Sequence, residues 1–302
     1  RSDGGWLGMV KNCYTDYVRV TSSRNGITEN SLAEVSQESF MSGEVAYKLN
    51  GGVTTPEVAW RQNIGEDNFP VLTTDSKIVY AQASEGFRCD GLPMGEVTYT
   101  NNEVSVDVPL HEHENGFCKY CGVIDPDFLI PENGVYALGS VVELAWFAAK
   151  VNNGEGKINA VLTADIDMGG MEWNPIAPGS CYWSAAGPAN VVNPGFSGVF
   201  DGQGHVISNF TIKALGEATG LFGVVTGTIK NLGIVNATFN SSAAYRSGAI
   251  AGTVTATTEN VGRVENCYVI DSKILTNGSV CGAVAGAVYG GVVQNCYAVS
   301  NE

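Results

Sequence analysis

The chain has 302 residues, 44% of them hydrophobic and 16% charged, which excludes general disorder and leaves room for one large or two modest folded cores. A formal charge of −15 opposes binding to nucleic acid or to anionic membrane surfaces, since both require a basic face. No run of eighteen apolar residues is present, so no helical membrane span is expected. The acidity is uneven: residues 24–132 hold 18 Asp and Glu against 6 Lys and Arg, and residues 133–302 hold 11 against 7. A solvated surface is the simpler reading, and a site for a cationic partner is the alternative.

Taken in chain order, residues 1–23 read as a partial coil of a repeat that returns at the end of the chain, so Arg1 is expected to follow a cut from a longer precursor. Residues 24–83 form an end-covering segment, with a short helix opened at Ser42-Gly43-Glu44, Val45 and Leu49 facing inward, and a stop at Gly51-Gly52. Trp60, Phe69 and Val71 are its expected packing residues, and Lys77–Ala81 reads as a strand. Residues 84–127 are short in large apolar side chains and need a staple. From 128 a larger domain begins: "GVYALGS" reads as a strand, and Ser140-Val-Val-Glu143 is a capping box for a helix through about Asn152. Val141, Leu144, Ala145, Ala148 and Val151 form its expected inner side. Beyond Gly156 come short β-branched runs separated by Gly, Asn and Asp without intervening helices.

Asn-Cys-Tyr recurs at residues 12–14, 266–268 and 295–297, and Asn231-Leu-Gly takes the same place earlier, giving spacings of 35 and 29 residues. Repeats of this length mean units that bury their apolar sides against their neighbours. The fold class expected is all-β: a parallel β-helix (β-solenoid) with a capping helix and a small Cys/His insert. In such a fold equivalent side chains lie about 4.8 Å apart. Asn231, Asn266 and Asn295 are then a hydrogen-bonding ladder, and Cys13, Cys267 and Cys296 a column of small buried hydrophobes. Gly220, Gly223, Gly248, Gly252, Gly282 and Gly286 are expected to supply positive φ or close backbone approach at corners. An antiparallel sandwich is the competing fold, but hairpins do not account for the recurrent Asn-Cys-Tyr register.

"FSGVFDGQGHVISNFTI" followed by "GLFGVVTGTIKNLGIV", with degenerate copies at Gly248–Gly252 and Gly282–Gly286, resembles the GLUG-repeat surface proteins of host-associated bacteria. "SGEVAYKLNGG", "WRQNIGEDNFPVL" and "HEHENGFCKYCG" also look like elements that accompany such repeats. The resemblance implies a parallel β-helix outside a bacterial cell, in adhesin-like proteins or beside immunoglobulin A protease-like ones, with no catalytic role for the repeats.

Cys118-Lys-Tyr-Cys121 is a CxxC knuckle, and with His111 and Cys89 it makes a Cys₃His set suited to tetrahedral zinc, which would be structural because no coordination position stays open. A disulfide within the knuckle, or from Cys89 to one of its members, is the alternative in an exported protein. The resemblance implies His111 as the matching histidine, with His113 standing where an aromatic residue is usual. "HEHENG" fails as an HExxH protease motif because Asn115 takes the place of the second histidine. Asp201 and His205 could pair, and Asp165 and Asp167 could share calcium, but turn and cap duty explains all four. Trp173, Tyr182 and Trp183 flank or occupy a long loop, the first choice for a sugar-stacking ligand site.

The function expected is a non-catalytic, extracellular or cell-surface segment of an adhesin-like protein, not an enzyme, with a host protein or glycan as partner. End-to-end self-association through the terminal coils is a further expectation. A β-helix polysaccharide lyase or hydrolase and an accessory module of an immunoglobulin A protease-like protein are the alternatives.

Overall fold

The structure, a computed structural model, describes residues 13–16, 32–104, 111–184, 187–192, 195–213, 217–241, 245–276 and 280–299, with only the backbone described around 180–192. Most of the predicted first coil, including Asn12 and Trp6, lies outside the described residues. The chain divides into two compact units, Arg1–Glu112 and His113–Glu302. The described residues are mostly β, with three helices: α1 (Gln37–Met41), α2 (Glu44–Leu49) and α3 (Val141–Asn152).

In the first unit, α2 forms where expected, with Gly43 as N-cap at φ 92°; Val45 is buried as expected, but Ala46 is buried while Leu49 is only partly so. α1 was not anticipated; Ser36 caps it by accepting from the Ser39 amide. Amide side chains, one buried and two half-buried, bridge backbone groups in this unit. Gln62 is fully buried and donates to the carbonyls of Phe40 (2.7 Å) and Asp67 (3.0 Å). Asn101 accepts from the Ile64 amide (2.8 Å) and donates to the carbonyls of Gln62 (2.8 Å) and Ile78 (2.9 Å). Asn50 makes both bonds a strand partner would make to the Trp60 backbone, at 3.0 and 2.7 Å. Phe69, expected inside, is 57% exposed and meets Phe40 edge-on. The strand expected at Lys77–Ala81 forms later, at Tyr80–Ala83, antiparallel to Val97–Thr100. Cys13 begins a strand whose in-register parallel neighbour is Leu32, so its described partner is not another cysteine.

In the second unit, Ser140 accepts from the Glu143 amide, and the Glu143 carboxylate accepts from the Gly139 amide (2.7 Å), so the capping box forms. The helix inner face is wider than predicted, because Trp146 and Phe147 join Leu144, Ala148 and Val151 in the core while Val141 and Ala145 are only partly buried. Phe147 packs against Phe196 and Phe200, which both pack against Phe222 at 5.1–5.2 Å between ring centroids.

Beyond the helix the chain returns repeatedly to the same parallel sheets. One sheet runs, in spatial order, Val135–Leu138, Asn159–Leu162, Val199–Asp201, Thr228–Lys230, Arg263–Glu265 and Val292–Gln294. A second carries Val206–Lys213, Gly233–Ser241, Tyr268–Ile270 and Tyr297–Val299 in parallel succession. Two three-stranded parallel sheets hold the Gly-rich runs. The registers put Ala160, Phe200, Ile229, Val264 and Val293 in one row, and Ile166, Ile207, Ile234, Val269 and Ala298 in another. All but Val293, partly buried, and Ala298, exposed, are buried, and a fully buried Val, Ile or Phe side chain contributes roughly 1.5–3 kcal/mol.

Corners reverse the expected division of labour between Gly and Asn. None of the six glycines named above has positive φ; they serve close approach, as at Gly252, where an added Cβ would lie 2.3 Å from the Thr219 amide nitrogen. The left-handed positions are instead the ladder asparagines, with φ 55° at Asn231, 54° at Asn266 and 54° at Asn295. Asn266 donates to the Asn231 side chain (3.2 Å), which donates to Asp201 (2.9 Å).

Because only Gly adopts left-handed φ without a steric cost, Asn231→Gly should retain about 1 kcal/mol more stability than Asn231→Ala, both falling below wild type. Urea unfolding of the three proteins checks this order.

Candidate metal centre

"HEHENGFCKYCG" folds as a hairpin. His113–Glu114 pairs antiparallel with Phe117–Cys118, and Asn115 (φ 52°) and Gly116 (φ 80°) form the turn between them. Two consecutive left-handed residues of the Asn-Gly type match the twist of the flanking strands, so the local sequence selects this turn. A strand and turn here also remove the helix that an HExxH protease site needs. Gly116 is pressed against the α3 region: a Cβ would lie 2.7 Å from the Phe128 ring and 3.0 Å from Trp146. Trp146 Nε1 donates to the Asp125 carbonyl (2.7 Å), and the Asp125 amide donates back to the Gly116 carbonyl (2.8 Å).

On this base sits the knuckle. The Gly122 amide donates to the Cys118 carbonyl (2.8 Å) and the Cys118 amide to the Val123 carbonyl (2.7 Å), so the Cys118–Cys121 turn is closed from within. Cys118 is buried and Cys121 exposed. Cys89 lies in a second Gly-bearing turn, where the Arg88 amide donates to the Leu92 carbonyl (2.8 Å) and Gly91 takes φ 81°. Arg88 and Asp90 form a two-point ion pair across this turn, one arm at 3.0 Å. The Arg88 guanidinium holds the Asp90 carboxyl below its usual range.

One donor atom from each of Cys89, His111, Cys118 and Cys121 lies within 4.8 Å of all the others. Zn–S bonds of 2.3 Å in a tetrahedron place donors about 3.8 Å apart, a spacing inside that limit. Three soft thiolates and an imidazole can hold a metal ion and suit zinc, whose contribution would be to folding free energy. His113 stands apart from this set, with Nδ1 3.7 Å from an Asp125 carboxylate oxygen.

Other candidate residues are placed differently. His205 pairs with Asp165 (3.0 Å), not Asp201, because the two meet across parallel strands. Asp201 instead accepts from Asn231, from the Gln203 amide (2.9 Å) and from Lys230 (3.1 Å). Burial pushes its carboxyl up, but these bonds together bring it below its usual range. Asp165 accepts the Val206 amide and Asp167 the Gly169 amide, and these bonds lower both carboxyls, so each serves as a turn cap. Trp173 is only 6% exposed and belongs to the core, which overturns its reading as a stacking residue. The side chains of Tyr182 and Trp183 lie outside the described residues; their backbone forms an antiparallel hairpin, Ser180–Ser184 with Gly187–Val192, in place of the loop expected.

Cys267 and Cys296 occupy neighbouring copies of one repeat position, with the Tyr297 amide donating to the Cys267 carbonyl (3.2 Å). Burial pushes the Cys267 thiol up to about 12, and it behaves as a small hydrophobe. A second ladder went unnoticed in the sequence: Asn236 donates to Asn209 (2.6 Å) and Asn209 to Asp167 (2.8 Å), with φ 51° at Asn236, 58° at Asn209 and 50° at Asp271. Its signal was a fixed offset, since Asn236 and Asp271 each follow a first-ladder asparagine by five residues.

Family models, curated proteins and solved structures yield no match to this chain.

Protein purified under reducing conditions should carry one zinc ion, and Cys118→Ser or Cys121→Ser should weaken retention against a chelator at least tenfold; elemental analysis with non-reducing peptide mapping checks this against a disulfide. At Cys267, both folded and unfolded chains keep the thiol proton below pH 9.0, whereas between 9.0 and about 12 only the unfolded chain loses it. Stability should therefore fall over that window by up to about 1.4 kcal/mol per pH unit, a slope that Cys267→Ala reduces in alkaline denaturation curves.

Proposed function

We propose that this chain is a non-catalytic β-solenoid segment of a GLUG-repeat bacterial surface protein, adhesin-like and exported, with structural zinc held by Cys89, His111, Cys118 and Cys121. The observation that carries this reading is the parallel register, in which Gly233, Tyr268 and Tyr297 share one row and the Tyr268 and Tyr297 rings stack 5.3 Å apart at 8°. Rows built from equivalent repeat positions are what a β-solenoid requires, and the Gly-rich runs that carry the family resemblance form its inner sheets. An exposed, repetitive surface of this type suits display and partner binding on the outside of a cell.

A polysaccharide lyase or hydrolase on the same scaffold would need a carboxyl group raised toward neutrality to act as an acid, or a set converging on a cation. Asp165, Asp167 and Asp201 are held low, by hydrogen bonds from amides and asparagines, and their acceptor capacity serves the turns. That supports the non-catalytic reading.

Cysteines introduced at Glu265 and Gln294, in-register neighbours on adjacent strands, should form a disulfide on mild oxidation, whereas the pair at Glu265 and Val293 should not. Incubation with acidic polysaccharides and calcium should yield no unsaturated or reducing-end product, and surface biotinylation of the source cells should label the chain. Turnover of a polysaccharide, or a chain protected inside intact cells, would overturn the proposal.

A further inference from the structure

The first unit contains a cavity of about 250 Å³ beside the Cys89 turn, lined in part by Tyr47, Thr54, Tyr80, Phe87 and Arg88. Three aromatic residues, Tyr47, Tyr80 and Phe87, line this one small space, and Tyr47 meets Tyr99 with ring centroids 5.7 Å apart. Gly52, also in the lining, lies beside the Tyr47 phenol and has φ +78°, a backbone conformation that favours glycine. Burial raises the Tyr47 phenol, so it stays a protonated donor at neutral pH.

Charge narrows the ligand class. The guanidinium in the wall opposes a cation, while residues 1–112 carry 16 acidic against 8 basic side chains and so oppose an anion. A wholly apolar ligand would strip water from Arg88, the Tyr47 phenol and the Thr54 hydroxyl without replacing its hydrogen bonds. The remaining class is a neutral ring with one apolar face and a rim of hydroxyls. We propose that this cavity binds a single neutral pyranose ring, stacked on the Tyr80 and Phe87 side chains, with its hydroxyls turned to Tyr47, Thr54 and Arg88. The volume is close to the lower limit for small-molecule sites and fits one sugar residue better than an extended ligand. This assignment is independent of the zinc reading, although Cys89 also lines the cavity.

The test titrates methyl glycosides of neutral hexoses and N-acetylhexosamines into the zinc-supplemented full chain, read by saturation-transfer NMR and calorimetry. At least one should bind in the millimolar range with saturation concentrated on one face of the ring. Phe87→Ala and Tyr80→Ala should each weaken binding about tenfold. Phe87→Leu, which keeps an apolar side chain but removes the ring, should lose as much, so the effect is separable from unfolding. Leu72→Ala, at a position 68% exposed and outside the lining, should bind as wild type. No binding by any neutral pyranoside, preference for tetramethylammonium or glucuronate, or binding that survives loss of both rings would overturn the proposal.

Discussion

The second unit depends on in-register parallel stacking: each strand lies beside its equivalent from the next repeat, so a side chain's nearest neighbours are its own counterparts. That constraint acts differently on the two sides of a strand. Facing inward it demands apolar residues of compatible volume, which Phe200, Ile229 and Val264 provide with no exposed surface. At corners it demands a left-handed backbone in every repeat together with a partner for each side chain. Valine or isoleucine would strain there, and glycine would leave no side chain to bond. Asparagine meets both requirements at Asn231, where φ is 55° and the amide bonds in both directions along the row.

Glycine is thereby released for another task. Gly220, Gly248 and Gly286 lie where backbone atoms of neighbouring segments stand about 2.5 Å from where a Cβ would be. The Gly-rich runs therefore buy proximity between chain segments, while asparagine sets direction. The first unit solves its packing by a different route. With fewer large apolar side chains, it relies on Gln62, Asn101 and Asn50 to satisfy backbone groups that strands would otherwise pair. Such a network is specific because every lost partner leaves a buried polar group unpaid, at roughly 1–3 kcal/mol.

The same economy governs the candidate chemistry. Asp165, Asp167 and Asp201 accept from backbone or asparagine amides, and the bonds from Val206, Asn209 and Asn231 tie separate segments together. The thiols divide by environment: Cys267 is buried among apolar rows and stays protonated, whereas Cys118 and Cys121 lie on a self-closed turn beside an imidazole and another thiol. Cysteine count alone therefore carries little meaning, and local backbone geometry decides between packing and ligation.

Local signals in the sequence determined the capping box at Ser140 and Glu143, the Cys/His donor set, and the repeat position shared by Asn231, Asn266 and Asn295, because each depends on residue type at short or regular spacing. Tertiary structure alone decided that His205 meets Asp165, that Trp173 is core, that Asn209 and Asn236 form a second row, and that Trp146 supports the knuckle. These contacts join residues well separated along the chain. Their partners are chosen by the register of whole strands and by the packing of α3 against them, and those are settled only when the strands pair.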